Sequence, residues 1–252
     1  SAFSLLTLVA PTLTHAQEVY PSKSIRFVVP YPPGGVSDNS SRAIAERLGR
    51  ELKATMVVEN KAGAGGTIGT ALVAKAAPDG SVLDLAAASH LIAKYLYDNL
   101  TYDPITAFAP AAYIGNASYI LMVPGDLPVN SVADFINLVK ASPGKYNYAS
   151  AGNGSATHLS MAYFAATAGL NMEHIPTKST GEAVTEVLSG RAQAVIAANV
   201  AALGFKEDKR IKLLAVTSPK RSKFIPDLPT VSESGLPGYE FTSWFGLLAP
   251  AA

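Results

Sequence analysis

The chain has 252 residues, and 20 basic against 19 acidic residues leave a formal charge of +1. Hydrophobic residues make up 48% of it, enough for a sizeable core, which excludes intrinsic disorder. The charge balance and the short basic runs, Lys209-Arg210 and Lys220-Arg221, exclude a nucleic-acid groove, and the absence of Cys excludes disulfides, thiolate metal sites and a cysteine nucleophile.

Residues 1–16, SAFSLLTLVAPTLTHA, carry no Asp, Glu, Lys or Arg. Their short apolar run ends in the small-x-small pattern Thr14-His15-Ala16, the end of a secretory signal, so a mature, exported protein is expected from Gln17. Pro11 interrupts the run, which falls short of the ~18 apolar residues of a membrane span.

Ile25 to Pro30 then reads as a buried strand, because β-branched and aromatic residues run together up to a Pro-Gly turn. Ser37 to Leu52 follows as a helix with Ile44, Leu48 and Leu52 at helical spacing. Met56 to Val58 is the next strand, Thr67 to Ala77 the next helix, and Val82 to Ala87 a third strand. Beyond the turn Val123-Pro124-Gly125-Asp126, the residues Val132, Phe135, Ile136 and Val139 mark one face of a helix that opens on the cap pair Ser131 and Asp134. Ser155 to Ala168 is a helix, and Ser179-Thr180-Gly181-Glu182 opens another with Val184, Val187 and Leu188 inward. Ala194 to Ala197, Ile211 to Val216 and Trp244 to Ala249 read as strands. Strands alternating with helices predict parallel α/β sheets.

Two strand-to-helix joints echo each other. Pro33, Gly34, Gly35, Val36, Ser37 and Asp38 form the first; Gly152, Asn153, Gly154, Ser155, Ala156 and Thr157 form the second. A helix start offers unpaired N–H groups and about half a positive charge, and glycine lets a ligand approach the backbone closely. Such turns in two lobes suggest a cleft that holds an anion from both sides without a basic cluster.

Enzyme motifs are weak by comparison. Gly63-Ala64-Gly65-Gly66-Thr67-Ile68-Gly69 misses the last Gly of a dinucleotide fingerprint, and Asp84, at a tolerable distance for a ribose contact, falls inside a strand. No P-loop and no nucleophile elbow is present, and the histidines at 15, 90, 158 and 174 show no metal-ligand spacing. His90 and His158 read individually as packed, hydrogen-bonded histidines. An esterase remains as an alternative, with Ser155 as nucleophile and His158 as base on one helix, although no orienting acid is evident.

Several segments together resemble one family. They include Tyr20-Pro21-Ser22-Lys23-Ser24-Ile25, Val29-Pro30-Tyr31-Pro32-Pro33-Gly34-Gly35, Val58-Glu59-Asn60-Lys61-Ala62-Gly63-Ala64-Gly65-Gly66 and Ala77-Pro78-Asp79-Gly80. Tyr148 to Ser155, Leu214-Ala215-Val216-Thr217-Ser218, Pro226 to Val231, Gly235-Leu236-Pro237-Gly238 and Gly246-Leu247-Leu248-Ala249-Pro250 extend the match over roughly residues 20 to 252. The chain resembles the Bug family, the periplasmic solute receptors of tripartite tricarboxylate transporters.

The resemblance implies an α/β, two-lobed periplasmic-binding-protein fold of the Venus flytrap, type II-like kind, with parallel or mixed sheets flanked by helices. Lobe 1 is expected to hold 17–123 plus about 240–252, with a further C-terminal part to complete it, and lobe 2 to hold 124–239. The implied ligand is a small organic carboxylate, gripped by Pro33, Gly34, Gly35, Val36, Ser37 and Asp38 and by Gly152, Asn153, Gly154 and Ser155, with Thr157 and His158 just behind. Ser89 and His90 lie on a third loop that faces the cleft in the family, and Lys178 on a fourth. Thr177 stands where that fourth loop often has an aromatic residue, and Ala197-Ala198-Asn199 stands where an Asp-containing motif is common. No cofactor or metal is implied. The partners are the transporter's membrane subunits, no nucleic acid, and the receptor is expected to act as a monomer. A sensor-kinase partner in signalling is the other role open to such a receptor.

Overall fold

The run Ile25-Arg26-Phe27-Val28-Val29 forms β1 (Ile25–Val29), with Phe27, Val28 and Val29 fully buried, as its β-branched and aromatic composition requires. The computed structural model describes residues 20–252. The signal-like segment 1–16 lies outside the described residues.

After β1 come α1 (Val36–Leu52), β2 (Met56–Asn60), a 3-10 turn at Ala64–Gly66, α2 (Thr67–Ala74), β3 (Val82–Ala87) and α3 (Ala88–Leu96). A 17-residue strand, β4 (Phe108–Pro124), then leads to α4 (Val132–Lys140), β5 (Asn147–Ser150), α5 (Ala156–Ala168), β6 (Glu173–Pro176) and α6 (Thr180–Leu188). The chain continues through β7 (Val195–Ala198), α7 (Asn199–Ala202) and β8 (Ile211–Val216), and returns as β9 (Thr242–Pro250). No helix among the described residues is long and apolar enough to cross a membrane.

These elements make two lobes. In lobe 1, β1 pairs in parallel with β2 and β3, while β9 runs antiparallel to both β3 and the first part of β4. In lobe 2, the second part of β4 is flanked by antiparallel β7 and β8. β5 and β6 pair in parallel, and a bridge from Tyr148 to Ala194 joins them to the β7 side. Antiparallel pairing thus enters both lobes: strand–helix alternation accounts for β1 to β3, but β9 runs antiparallel in lobe 1, and β7 and β8 run antiparallel to β4 in lobe 2.

The change of partner falls inside β4, between Ser118, which faces Thr242 of β9, and Tyr119, which faces Ala198 of β7. That point lies ahead of the Val123–Asp126 turn at which the sequence divides. Only β4 and the stretch leading into β9 carry the chain between the lobes among the described residues. Thr217 pins these two crossings together. Its hydroxyl donates to the Phe241 carbonyl at 2.7 Å and accepts from the Tyr119 N–H at 2.9 Å, while its own N–H donates to the Tyr119 carbonyl at 2.8 Å.

The helix starts follow their capping residues. Ser131 accepts from the Asp134 N–H, Ser155 from the His158 N–H and Ser179 from the Glu182 N–H. Asp134 and Glu182 answer by accepting from the Asn130 and Lys178 N–H groups, one residue before the cap. In lobe 2 Phe135, Phe164 and Tyr239, with Met161, form the core on one side of the sheet, and Val184, Val187 and Ile211 lie on the other. Lobe 1 closes around Phe27, Leu85 and Phe245. Val36 and Ala117 pack against the cores of both lobes, which places the start of α1 at the floor of the cleft.

Candidate functional site

Between the lobes lies a cavity of about 820 Å³. Its walls are built mostly from the ends of elements, because a βα joint exposes backbone at the edge of each sheet. From lobe 1 come Pro33, Gly34, Gly35, Val36 and Ser37 at the start of α1, with Ser89 at the start of α3. Lobe 2 contributes Gly152, Asn153, Ser155 and Thr157 at the start of α5, and Lys178 just before α6. The two echoing joints of the sequence therefore face one cavity.

Helices α1, α5 and α6 present their N-termini to it, beside the start of α3 at Ala87 and Ser89. The N-cap of α1 is Gly35, with no side chain on its first turn's N–H groups. Ser155 and Ser179 each take only one N–H of α5 and α6, so Ala156, Thr157, Thr180 and Gly181 line the cavity within the first turn. A carboxylate placed here meets backbone donors backed by helix dipoles, and hydrogen bonds to a charged group contribute about 1.5–3 kcal/mol each.

Four of the expected residues stand behind the wall. Asp38 is buried, and its carboxylate accepts from the Gly34 N–H at 2.9 Å and the Asn60 amide at 3.0 Å while pairing with Arg42 at 2.9 Å. It braces the first loop from within. Burial alone would raise its pKa, but the Gly34 N–H, Arg42 and Asn60 outweigh that and hold it below the ordinary carboxylate value. Such a group stabilises the fold above the unfolded carboxyl pKa near ~4, and the benefit fades as pH falls through the lower folded value. Asp38→Asn is accordingly expected to cost about 1–3 kcal/mol at neutral pH, with the gap to wild type closing under acid. Urea unfolding at several pH values checks this; a gap that persists at the lowest pH contradicts it.

His90 is buried against Phe108 and Tyr102, with Nε2 at 2.8 Å from the Pro104 carbonyl. Gly154 touches lobe 1 instead of the cavity: a Cβ there would lie 3.4 Å from the Gly65 Cα, the Leu96 Cδ1 and the Tyr97 hydroxyl. His158 packs tilted against His174, with ring centroids 4.3 Å apart, and its Nδ1 accepts from the Gly154 N–H at 3.2 Å. That bond engages the imidazole with the loop, while the Ser155 hydroxyl caps α5 and pairs with Thr157 at 2.9 Å. Ser155 and His158 are neighbours in sequence without the side-chain bond that a nucleophile and its base require. His174 donates to or accepts from Ser150 at 2.6 Å, and burial followed by the neighbouring His158 lowers its pKa to about 4.

The cavity also recruits residues that motif reading passed over. The turn Gly63-Ala64-Gly65-Gly66 lines it, with Gly65 at φ 65° and Gly66 at φ 105°, conformations that favour glycine. The near-fingerprint glycines signalled this turn, although not its use. Asp84 makes no cleft contact: it is fully buried on β3 beside Thr70, and burial pushes its pKa up to about 7 against the Thr70 bond. Tyr31, Tyr97, Tyr119, Ser243 and Phe245 complete the floor and one side. The Tyr31 hydroxyl joins Ser89 at 2.8 Å, and burial pushes the Tyr119 hydroxyl up to about 12. These aromatics reach the cleft from separate elements: Tyr31 follows β1, Tyr97 ends α3, and Tyr119 and Phe245 lie on β4 and β9.

Comparison with known proteins bears on this arrangement. Residues 40–252 match the model of the TctC family, described as the tripartite tricarboxylate transporter family receptor. The protein BugT of Bordetella pertussis is 34% identical over 235 residues, covering 92% of this chain and 72% of BugT. The structure of the periplasmic binding protein BugD superposes with a TM-score of 0.85 at 37% identity, over 92% of this chain and 78% of that one. A structure of R. palustris Rpa4515 with adipate gives a TM-score of 0.87 at 33% identity, with the same coverage of 92% and 78%. The chain belongs to the tripartite tricarboxylate transporter receptor family and has its two-lobed periplasmic-binding-protein fold.

Proposed function

We propose that this protein is an extracytoplasmic receptor that captures a small organic carboxylate between its lobes and delivers it to the membrane subunits of a tripartite tricarboxylate transporter. The observation that carries the reading is the convergence of helix N-termini from both lobes, α1 and α3 from one and α5 and α6 from the other, on one cavity of about 820 Å³. Family membership and the adipate in Rpa4515 support the carboxylate. Periplasmic location follows from the family, and the charge-free apolar run 1–16 supports export by a signal peptide.

Because the anion loops sit on different lobes, full coordination exists only when the lobes are together. The ligand then favours the closed state by the bonds that the second lobe adds, and that differential shifts the population. The transporter subunits would recognise this closed form, one receptor at a time.

A thermal-shift series of mono-, di- and tricarboxylates tests the reading. A ligand at one hundred times its Kd adds ~2.7 kcal/mol to a fold that alone binds it. At roughly 2–4 °C per kcal/mol for a chain of this size, the midpoint rises by about 5–10 °C. If no carboxylate moves the midpoint, the receptor reading fails. Ester turnover that disappears in Ser155→Ala would favour the hydrolase instead.

A further inference from the structure

The two glycine-rich loops of the cleft are held from behind by different chemistry. In lobe 1 the Gly34 N–H is taken by the Asp38 carboxylate, which is ionised at neutral pH. In lobe 2 the Gly154 N–H is taken by the Nδ1 of His158 at 3.2 Å, and Gly154 is buried, so water does not replace that acceptor. Around it the Ala151 N–H donates to the Thr157 hydroxyl at 2.8 Å, the Gly152 N–H to the Ser150 hydroxyl at 3.1 Å and the Ser155 N–H to the Gly152 carbonyl at 3.2 Å. Among the described residues this leaves Asn153, on the cavity wall, as the one residue of loop 151–155 whose N–H is not taken inside the protein. We propose that His158 is the positioning residue of this second loop, that it acts only as the neutral imidazole with its proton on Nε2, and that acid therefore releases the loop and weakens ligand binding. This rests on the carboxylate-receptor reading and adds a regulation of the same site.

The physical reason is a match of donor to acceptor. The Gly154 N–H needs a lone pair opposite it, and imidazole offers one at Nδ1 only while its single proton sits on Nε2. A second proton turns Nδ1 into a donor, so two N–H groups face each other and the buried amide is left unpaired. The surroundings keep that proton off near neutrality. His174 of β6 has its ring centroid 4.3 Å from that of His158, and Tyr148 of β5 stacks on His174 at 4.9 Å and on His158 at 6.4 Å. Neither imidazole takes part in an ion pair among the described residues. The charged side chains of the adjoining segments are placed elsewhere: Glu173 is exposed, Glu182 accepts from the Lys178 N–H, and Lys178 is on the cavity wall. Burial lowers the pKa of His158, and burial followed by the neighbouring His158 lowers that of His174 to about 4. Both folded values lie below the ordinary ~6.5, so the unfolded chain takes up protons first. The neutral arrangement is therefore fully stable above ~6.5 and loses stability as pH falls through the lower folded values. Gly154 also meets Gly65 and Tyr97 of lobe 1, so a released loop disturbs the contact between the lobes as well as the cleft wall. A positive charge near the cleft would by itself strengthen carboxylate binding, so the direction of the pH effect separates positioning from simple attraction.

Wild type, His158→Asn and His158→Leu test the proposal. Asn places an amide oxygen where Nδ1 stands and does not titrate, whereas Leu fills the space without an acceptor. Heteronuclear NMR of the wild-type imidazoles is expected to show the His158 proton on Nε2 at neutral pH, with the Gly154 amide signal moving at the midpoint of the His158 titration. Titration calorimetry with adipate and with malate at neutral pH is expected to give His158→Asn within about threefold of wild type and His158→Leu about tenfold weaker or more. Between about pH 7 and about pH 5, wild type is expected to lose at least about threefold more affinity than His158→Asn, which shares every change in the ligand's own ionisation. A proton on Nδ1 at neutral pH, wild-type affinity in His158→Leu, or equal acid losses in wild type and His158→Asn overturns the proposal while leaving the receptor reading in place. Wild-type binding that tightens in acid relative to His158→Asn overturns it too, in favour of attraction. Should His158→Leu fail to fold, the NMR titration and His158→Asn decide. If neither ligand binds wild type, the NMR titration decides alone, and a Gly154 amide that ignores the His158 midpoint overturns the proposal.

Discussion

Gly154→Val is expected to weaken carboxylate binding at least a hundredfold, a loss of about 2.8 kcal/mol, while both lobes remain folded. Gly154 has φ 76°, and a Cβ there would sit 3.4 Å from atoms of Gly65, Leu96 and Tyr97, all in lobe 1. Gly65 is reciprocal: its own added Cβ would lie 3.4 Å from the Asn153 carbonyl oxygen and the Gly154 Cα. Two glycines thus face each other where the lobes meet. A branched side chain there carries two further methyl groups into that gap and adds the left-handed backbone cost of ~1–2 kcal/mol. The open state escapes the first penalty, so the equilibrium moves away from closure. Titration calorimetry measures the affinity, and small-angle scattering with saturating dicarboxylate measures closure, with the variant expected to keep the larger radius of gyration. Gly35→Val is the comparison, because Gly35 has φ −81° and its added Cβ would come no nearer than 3.8 Å to the Pro32 carbonyl oxygen. Any loss it shows should come without a change in lobe separation. Wild-type affinity and compaction in Gly154→Val would remove the glycine contact from the closing mechanism.

Thr217→Val is expected to lower stability by about 2–4 kcal/mol, the sum of two buried groups left without partners. Val has almost the shape of Thr, so packing is retained, but the hydroxyl is replaced by a methyl group. The Phe241 carbonyl then loses its donor at 2.7 Å and the Tyr119 N–H its acceptor at 2.9 Å. Thr217 is fully buried, so water cannot easily replace either bond. Because these bonds tie the two interlobe crossings, the variant should also alter the cost of lobe movement. Thr217→Ser, which keeps the hydroxyl, should recover most of the stability despite losing a methyl group. Chemical denaturation of the three proteins decides; equal stability of the Val variant and wild type would contradict the pinning role.

Most elements were legible in the sequence where hydrophobic period and capping agreed. β1 and β3 are short, largely apolar runs and α1 and α4 carry apolar residues at helical spacing, and each forms close to where it is expected. Ser131, Ser155 and Ser179 mark their helix starts because capping is a local interaction, decided within four residues. β4 was passed over, although its second half, Tyr119 to Val123, is a continuous buried apolar run. Its first half, Ala109 to Tyr113, is exposed and contains Pro110, which argues against a strand. It is a strand because β9, more than a hundred residues later, pairs with it. α3 was likewise passed over, so Ser89 and His90, expected on a loop, lie in the first turn of a helix.

By itself the sequence determined the class of the protein: two α/β units, each with a glycine-rich strand-to-helix joint able to meet an anion, because glycine conformation and helix-end donors are properties of a few adjacent residues. Tertiary structure alone decided which side chains those joints turn outward. Asp38 and Ser37 are neighbours on one turn, yet Ser37 lines the cavity and Asp38 is drawn inward by Asn60 from β2 and by the Gly34 N–H. The gathering of α1, α5 and α6 at a single cavity, and the meeting of Gly65 with Gly154, join segments far apart in the chain. Such relations depend on sheet order and on the path of the two crossing segments, which no local pattern of residues encodes.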